Sequence, residues 1–181
     1  MRRVMAAVAA TLMLGSSQAL AQGRPLVEIG AGAGLTVATD GSTVTMFSVP
    51  GAGILGQPAI YASFFTPGGL VIEPSTALNI VHASGSTATT LGLGTMVGHF
   101  FQGTARNSAF VGAVGTLQHL SGGGTNDTNY ALGARVGYRW VPPGSGLGIR
   151  VQGGYQRWLR YGGASEITLG VELGGILHSS K

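Results

Sequence analysis

The sequence predicts an all-β protein: an antiparallel up-and-down transmembrane β-barrel of about eight strands that follows a cleaved signal peptide. Three observations support this prediction: an export signal, a composition poor in charge, and an alternation of apolar and polar residues. Only 9% of the 181 residues are charged and 33 are glycine, whereas a soluble domain usually carries about 25% charged residues. Such a chain must either bury a large core or face lipid.

The export signal occupies the N-terminus. Arg2 and Arg3 provide a basic start, Met5–Leu14 forms a short apolar stretch, and Ala19–Ala21 fits the small-x-small rule for signal peptidase. The apolar stretch is too short to span a bilayer as a permanent helix. We therefore expect residues 1–21 to be a removed signal peptide and residues 22–181 to form one barrel domain.

The charge balance argues against a nucleic-acid partner. Two of the ten basic residues lie in the predicted signal, so the mature chain keeps eight Lys and Arg against six Asp and Glu, a formal charge of +2 without runs of like charge. After Gln22 no run of 18 apolar residues occurs, because Gly, Thr, Ser and Pro interrupt every stretch. In hydrocarbon only helices and closed barrels satisfy the hydrogen bonds of their own backbone groups. Because the apolar stretches are interrupted, a membrane-spanning form of this chain would be a barrel rather than a helix.

Alternation with a period of two is clearest in three C-terminal segments, Asn129–Val141, Leu147–Tyr161 and Glu166–Leu177. One face of each carries large apolar residues, and the other mixes glycine with Arg, Gln and Glu. Bulky aliphatic side chains suit lipid, whereas the interior of an eight-stranded barrel must be filled by side chains. A soluble lipocalin-like barrel would invert these faces, but it needs many charged outward residues, which this chain lacks.

Nine strand-like segments can be read along the chain: Leu26–Ala38, Thr43–Val49, Pro58–Phe65, Leu70–His82, Thr89–Phe101, Ala109–His119, Asn129–Val141, Leu147–Tyr161 and Glu166–Leu177. Bacterial single-chain barrels have even strand numbers. We therefore prefer Leu26–Ala38 as strand one, with Asp40-Gly41 as its turn and Thr43–Phe65 as one long, broken strand two. The alternative takes Thr43–Val49 as strand one. Tight turns at 66–69 and 142–146 are expected on the periplasmic side, and small polar loops at 84–88, 121–128 and 162–165 outside.

This ordered pattern resembles the small outer-membrane barrels of the OmpA/OmpX type. The resemblance is carried by Phe110–Gly115, Tyr130–Trp140, Ile149–Tyr155 and Ile167–Gly175. It implies a bacterial outer-membrane location, contact with outer-membrane lipids and lipopolysaccharide, and the barrel assembly machinery as a partner during biogenesis. Such barrels usually end on an aromatic residue that this machinery reads, whereas this chain ends on Leu177–Lys181.

A polar network is expected inside the barrel. Alternation places these side chains on the inward face: Glu28, Glu73, Arg135, Arg139, Arg150, Gln152 and Glu172. Buried charges are tolerated when they are paired and hydrogen-bonded, so we expect them to fill the lumen. Glu166 lies near a strand end and is expected to contribute little. These features predict a non-enzymatic protein with a structural or surface-interaction role, and a narrow passage for small solutes is an alternative.

A second alternative is enzymatic. His119-Leu120-Ser121 resembles the His-x-Ser pair of outer-membrane lipid A deacylases, in which the histidine activates the serine. Gly122 stands where that family favours Asn, and the next glutamate is Glu166, far from the usual spacing. The remaining histidines show no metal-ligand spacing, so neither a metal nor a cofactor is expected. An interfacial aromatic girdle is predicted from residues near strand ends: Tyr138, Trp140, Tyr155, Trp158 and Tyr161.

Overall fold

The computed structural model describes residues 26–39, 43–48, 60–83, 86–103, 107–122, 124–160 and 163–177. Within these ranges the strands are β1 (Leu26–Thr39), β2 (Thr43–Ser48), β3 (Ile60–Phe65), β4 (Leu70–Ala83), β5 (Ser86–Phe100), β6 (Ser108–Gly122), β7 (Thr125–Trp140), β8 (Leu147–Trp158) and β9 (Ser165–Leu177). No helix in this described part is long and apolar enough to cross a membrane. The predicted signal peptide, the turn at Asp40-Gly41 and the chain end at 178–181 lie outside the described residues, so these assignments stay predictions.

The strands form one antiparallel sheet that closes on itself. From β3 to β9 each strand pairs with the next along the chain. β9 then pairs with β1 from Val27 opposite Leu177 to Thr39 opposite Ser165. Closure removes the free edges that a sheet would otherwise expose, which is the condition for strands to cross hydrocarbon. The predicted antiparallel barrel is confirmed.

The second position of the barrel is shared by two short strands. β3 pairs with the first half of β1, Leu26–Ala31, and β2 pairs with its second half, Gly34–Thr39. Both lie on the edge of β1 opposite β9, so the nine strands occupy eight positions. This arrangement confirms the preferred count of eight, in which β2 and β3 are two parts of one broken strand.

The two faces of the barrel wall differ as the alternation predicts. On β9, Leu169 and Leu173 are 60% and 52% exposed, whereas the intervening Gly170 and Glu172 are buried. The same inversion holds along the middle of β7 and β8, where Leu132, Val136 and Val151 are exposed and Arg135, Arg139 and Arg150 are buried. A soluble monomer rarely exposes a continuous apolar surface of this kind. The outer face of the barrel is therefore the lipid-facing one.

Two predicted loops are shorter than expected. The loop expected at 121–128 is largely strand, because β6 runs to Gly122, β7 starts at Thr125, and those two residues pair. Gly122 and Gly124 have φ of 113° and 82°, which suits glycine in a tight hairpin. The loop expected at 84–88 shrinks in the same way, since Ala83 pairs with Ser86. Polar residues at these strand ends do not stop pairing, and this is why composition alone misplaced the boundaries.

The connections gather at the two ends of the barrel. We call the end of the barrel at which β3, β5 and β7 finish the turn end, and the end at which β1, β4, β6 and β8 finish the hairpin end. The chain enters β1 and leaves β9 at the turn end. The connections at 66–69 and 142–146, expected together on one side of the membrane, do lie at the same end of the barrel.

Candidate functional site

The interior near the turn end holds a cluster of charged side chains contributed by five strands. The lumen network consists of Glu28 on β1, Glu73 on β4, Arg135 and Arg139 on β7, Arg150 and Gln152 on β8, and Glu172 on β9. All seven side chains are buried. The structure thus brings together the residues that alternation placed on the inward face, and ion pairs join strands that are far apart in sequence.

Arg150 lies at the centre of the lumen network and is fully buried. Its Nη2 lies 2.9 Å from Glu28 Oε1, and its Nη1 pairs with Glu73 Oε2 and lies 3.7 Å from Glu172 Oε2. Nη2 also donates a hydrogen bond to Ser63 Oγ at 2.8 Å. One guanidinium therefore links three carboxylates, for which its five N–H donors in a fixed planar arrangement are well suited.

The other two arginines balance the remaining charge. Arg139 Nη1 lies 3.4 Å from Glu28 Oε2. Arg135 Nη1 lies 3.3 Å from Glu73 Oε1 and 3.8 Å from Glu172 Oε1. The lumen network therefore contains three cations and three anions. Because a buried charge is costly without a partner, this equality is what allows the cluster to lie inside the barrel.

Two members of the surrounding shell were not predicted from the sequence. Ser63 donates to Glu73 Oε2 at 2.5 Å, and Tyr61 donates to Glu28 Oε1 at 3.1 Å. Both lie on β3, a short strand whose inward face could have been read from its alternation with Ala62 and Phe64. Gly174 makes room for the Tyr61–Glu28 pair, since a Cβ there would lie 2.6 Å from both Glu28 Oε1 and Tyr61 Oη.

An apolar layer closes the interior beneath the network, at the turn end. It consists of Phe65, Val71, Met96, Phe100 and Phe110. The Phe100 and Phe110 rings are stacked with centroids 4.7 Å apart, and the Arg139 guanidinium lies 4.9 Å from the Phe65 ring centroid. Cation–π contact of this kind joins the charged and apolar layers.

A second polar group lies inside the barrel nearer the hairpin end, and it corrects two sequence-based expectations. Glu166, expected to contribute little, is fully buried and accepts hydrogen bonds from Gln156 Nε2 at 2.8 Å and Trp158 Nε1 at 2.9 Å. Trp158, expected in the outer aromatic girdle, is therefore an interior residue. Of the other proposed girdle residues, Tyr138, Trp140 and Tyr155 are exposed on the outer face, and Tyr161 lies outside the described residues.

The candidate hydrolase pair lies on the outer face of β6. His119 and Ser121 are two residues apart on this strand, and the His119 ring contacts the Thr128 hydroxyl, with Nδ1 2.9 Å from Oγ1. Asp127 pairs with Leu120 in the sheet register and thus lies on the opposite face of the wall from His119. Among the described residues no group of His, Cys, Asp and Glu is arranged to hold a metal ion.

Comparison with known proteins supports the fold. No protein-family model and no curated protein matches the chain. The solved structure of Neisserial surface protein A (NspA) is similar, with a TM-score of 0.58 and 17% identity over 82% of this chain and 96% of that one. Two others match less well. Ail, the attachment invasion locus protein of Yersinia pestis, has a TM-score of 0.49 and 10% identity over 86% of this chain and 100% of that one. The outer membrane protein OprG of Pseudomonas aeruginosa has a TM-score of 0.47 and 8% identity over 86% of this chain and 96% of that one.

The likeness to NspA shows the fold of a small eight-stranded outer-membrane barrel. The lipid-facing apolar surface points independently to the same setting, because all-β chains cross membranes as closed barrels with an apolar outer band. The chain is thus an eight-stranded barrel of the bacterial outer-membrane type, as its sequence predicts.

Proposed function

We propose that this outer-membrane barrel is a non-enzymatic structural protein whose lumen is closed to solutes, and that it meets its surroundings through its outer surface. The observation that carries the proposal is the lumen network centred on Arg150, which spans the interior and rests on the apolar layer around Phe100. An eight-stranded barrel has an interior just wide enough for side chains to fill. Paired charges hold those side chains in place, and the described side chains of the lumen network are buried from water.

The two alternatives find less support. A narrow passage for solutes would have to pass both the lumen network and the apolar layer, and each contains fully buried side chains. A lipid hydrolase needs a carboxylate to orient the His119 imidazole. Among the described residues the ring nitrogen instead contacts the Thr128 hydroxyl, and Asp127 lies across the wall.

The proposal extends to the orientation of the barrel and to its partners. At the hairpin end β6 and β7 continue beyond the apolar band with polar outward residues such as Ser121 and Asn126. Outer-membrane barrels carry their longer excursions from the membrane outside the cell, and in this chain we take the polar extension of β6 and β7, rather than a long loop, as that excursion. We therefore assign the hairpin end to the exterior and both chain ends to the periplasm. The surrounding partners are then outer-membrane lipids and lipopolysaccharide, with the barrel assembly machinery during biogenesis and no nucleic acid.

Conductance in planar lipid bilayers tests the closed lumen. The wild-type protein is expected to insert without a steady ion conductance. The double variant Arg139→Ala/Phe100→Ala removes two contacting interior groups, whose guanidinium carbon and ring centroid are 5.3 Å apart, and is expected to conduct. The control Tyr138→Ala/Phe101→Ala changes their outward-facing neighbours and is expected to stay closed.

Heat-modifiable gel mobility verifies that each variant is folded before its conductance is compared. A steady conductance from the folded wild-type protein would contradict the closed lumen and favour the solute passage. Hydrolysis of lipid A or phospholipid by the purified wild-type protein would contradict the non-enzymatic role.

A further inference from the structure

A small cavity lies inside the barrel between the lumen network and the polar group around Glu166. Its walls belong to β6, β7, β8 and β9, and they include Thr116, Arg135, Gln156 and Thr168. Arg135 is a member of the lumen network and Gln156 donates to Glu166, so the cavity adjoins both groups. It leaves about 20 Å³ for the centre of a water molecule, and one buried water needs at least about 10–15 Å³. The cavity therefore has the size of a single water molecule.

Gly154 creates this space. It lies on the inward face of β8, directly opposite Arg135 in the register of β7 and β8. A Cβ at this position would lie 2.9 Å from Thr168 Oγ1 and 3.2 Å from Ala134 O, both closer than an ordinary contact. A side chain at position 154 would therefore occupy the cavity.

The polar lining begins with Arg135. Both carboxylate oxygens that pair with it, from Glu73 and Glu172, approach the same nitrogen, Nη1, at 3.3 and 3.8 Å. A guanidinium carries five N–H donors, and donors buried in a protein need acceptors. The Arg135 side chain is only 9% exposed, so its other donors need an acceptor inside the barrel.

Two hydroxyl groups complete the polar lining. Thr116 Oγ1 donates to Gln156 Oε1 at 3.2 Å, and its own oxygen can still accept a hydrogen bond. Thr168 Oγ1 can donate or accept, because a hydroxyl group does both. The lining thus combines donors with acceptors, and a buried water typically makes about three hydrogen bonds to groups of this kind.

The charges around the cavity disfavour an ion. The guanidinium of Arg135 repels a cation. An anion would be the surplus charge in the lumen network, because Glu73 and Glu172 already pair with Arg135, and a buried charge without a partner is costly. A neutral molecule that both donates and accepts fits the cavity better.

We propose that this cavity binds one structural water molecule, which joins the lumen network to the polar group around Glu166. The water accepts a hydrogen bond from the Arg135 guanidinium and contacts the hydroxyl groups of Thr116 and Thr168. The hydrogen bonds from Thr116 to Gln156 and from Gln156 to Glu166 continue from it. The polar interior of β6 to β9 then forms one connected hydrogen-bonded structure.

Oxygen-17 relaxation dispersion of water tests the site, because it counts the water molecules that a protein holds for longer than its tumbling time, and exchanging hydroxyl protons do not contribute. In detergent-solubilised protein, Gly154→Ala should hold one water fewer than the wild type, since the added methyl group occupies the cavity. The matched control Gly92→Ala adds the same group at another inward glycine, where a Cβ would lie 3.7 Å from Ala77 Cβ, and should leave the count unchanged. A crystal structure of the wild type should show the water within hydrogen-bond distance of Arg135 and Thr168.

A second pair of variants tests the polar contact without adding bulk, and it decides the matter if Gly154→Ala does not fold. Thr168→Val replaces the hydroxyl group by a methyl group of similar size and should also lower the number of held waters. Thr90→Val makes the same change at a buried threonine of β5, outside the four strands that line the cavity, and should not.

Two results would overturn the proposal. In the first, the variants of the cavity and their controls, all verified as folded by heat-modifiable mobility, hold the same number of waters. In the second, crystals grown with rubidium or bromide show anomalous scattering in the cavity, which would make it a site for a cation or an anion instead of water.

Discussion

Replacing Arg150 by Met should destabilise the barrel much more than the same replacement at an exposed arginine of the same strand. Methionine fills much of the same space but removes the cation that lies 2.9 Å from Glu28 and also pairs with Glu73. Three buried carboxylates would then face only Arg135 and Arg139, so one negative charge would lack a partner. Removing one member of a buried pair typically costs about 3–5 kcal/mol, and we expect the free energy of unfolding to fall by about that amount.

A double-mutant cycle separates the lost pairing from the lost packing. Glu73→Gln alone leaves three cations against two anions and should also cost about 3–5 kcal/mol. The double variant Arg150→Met/Glu73→Gln leaves two cations and two anions in the interior. Its loss in free energy of unfolding should therefore be smaller than the sum of the two single losses, by about 0.5–3 kcal/mol. Arg157→Met makes the same chemical change at an exposed position of the same strand and should alter stability by about 0.5 kcal/mol or less.

The assay is urea unfolding in lipid vesicles, followed by tryptophan fluorescence and by heat-modifiable gel mobility. The reasoning is refuted if Arg150→Met and Arg157→Met unfold at the same urea concentration, or if the cycle shows purely additive effects. Either result would mean that the arginine at 150 is solvated and that its ion pairs do not hold the barrel together.

Three further predictions address the wall, the second interior group and the chemistry. Leu169→Arg places a charge on the lipid-facing side of the wall and should lower the free energy of unfolding by about 2–4 kcal/mol near the bilayer midplane, measured in the same assay. An unchanged free energy of unfolding would mean that the inner and outer faces of the wall have been assigned the wrong way round. Glu166→Ala leaves the buried donors of Gln156 and Trp158 without their acceptor and should cost about 1–3 kcal/mol, whereas Glu166→Gln should cost less; equal effects would argue against these hydrogen bonds. Ser121→Ala should leave lipid A and phospholipid hydrolysis, measured by release of fatty acids, no different from wild type, and a loss of activity specific to that variant would support the hydrolase alternative.

Most of what could be predicted about the barrel and its interior came from the alternation of apolar and polar residues along the strands. A period of two assigns every second residue to one face, so the inward positions of Arg139, Arg150 and Glu172 follow once a strand is recognised. The same rule also put Glu166 and Trp158 inside. They were misjudged because residue type and nearness to a strand end were weighed above the alternation, although Trp158 lies on the face of Gln156.

The partners within the lumen network could not be predicted in the same way. Glu28 and Arg150 are brought together by closure of β1 on β9 and by the stagger between strands, neither of which leaves a local signal.

The central claim is that apolar residues face lipid while polar ones fill the interior, and the two tryptophans of the chain test it directly. Trp140 is 46% exposed on the outer face, whereas Trp158 is 1% exposed inside the barrel. The variant Trp158→Phe leaves Trp140 as the only tryptophan, and Trp140→Phe leaves Trp158. Each variant is inserted into vesicles of lipids brominated near the headgroup. We predict strong quenching of Trp140 fluorescence by the brominated lipid and little quenching of Trp158. Equal quenching of both, or stronger quenching of Trp158, would contradict the assignment of the two faces.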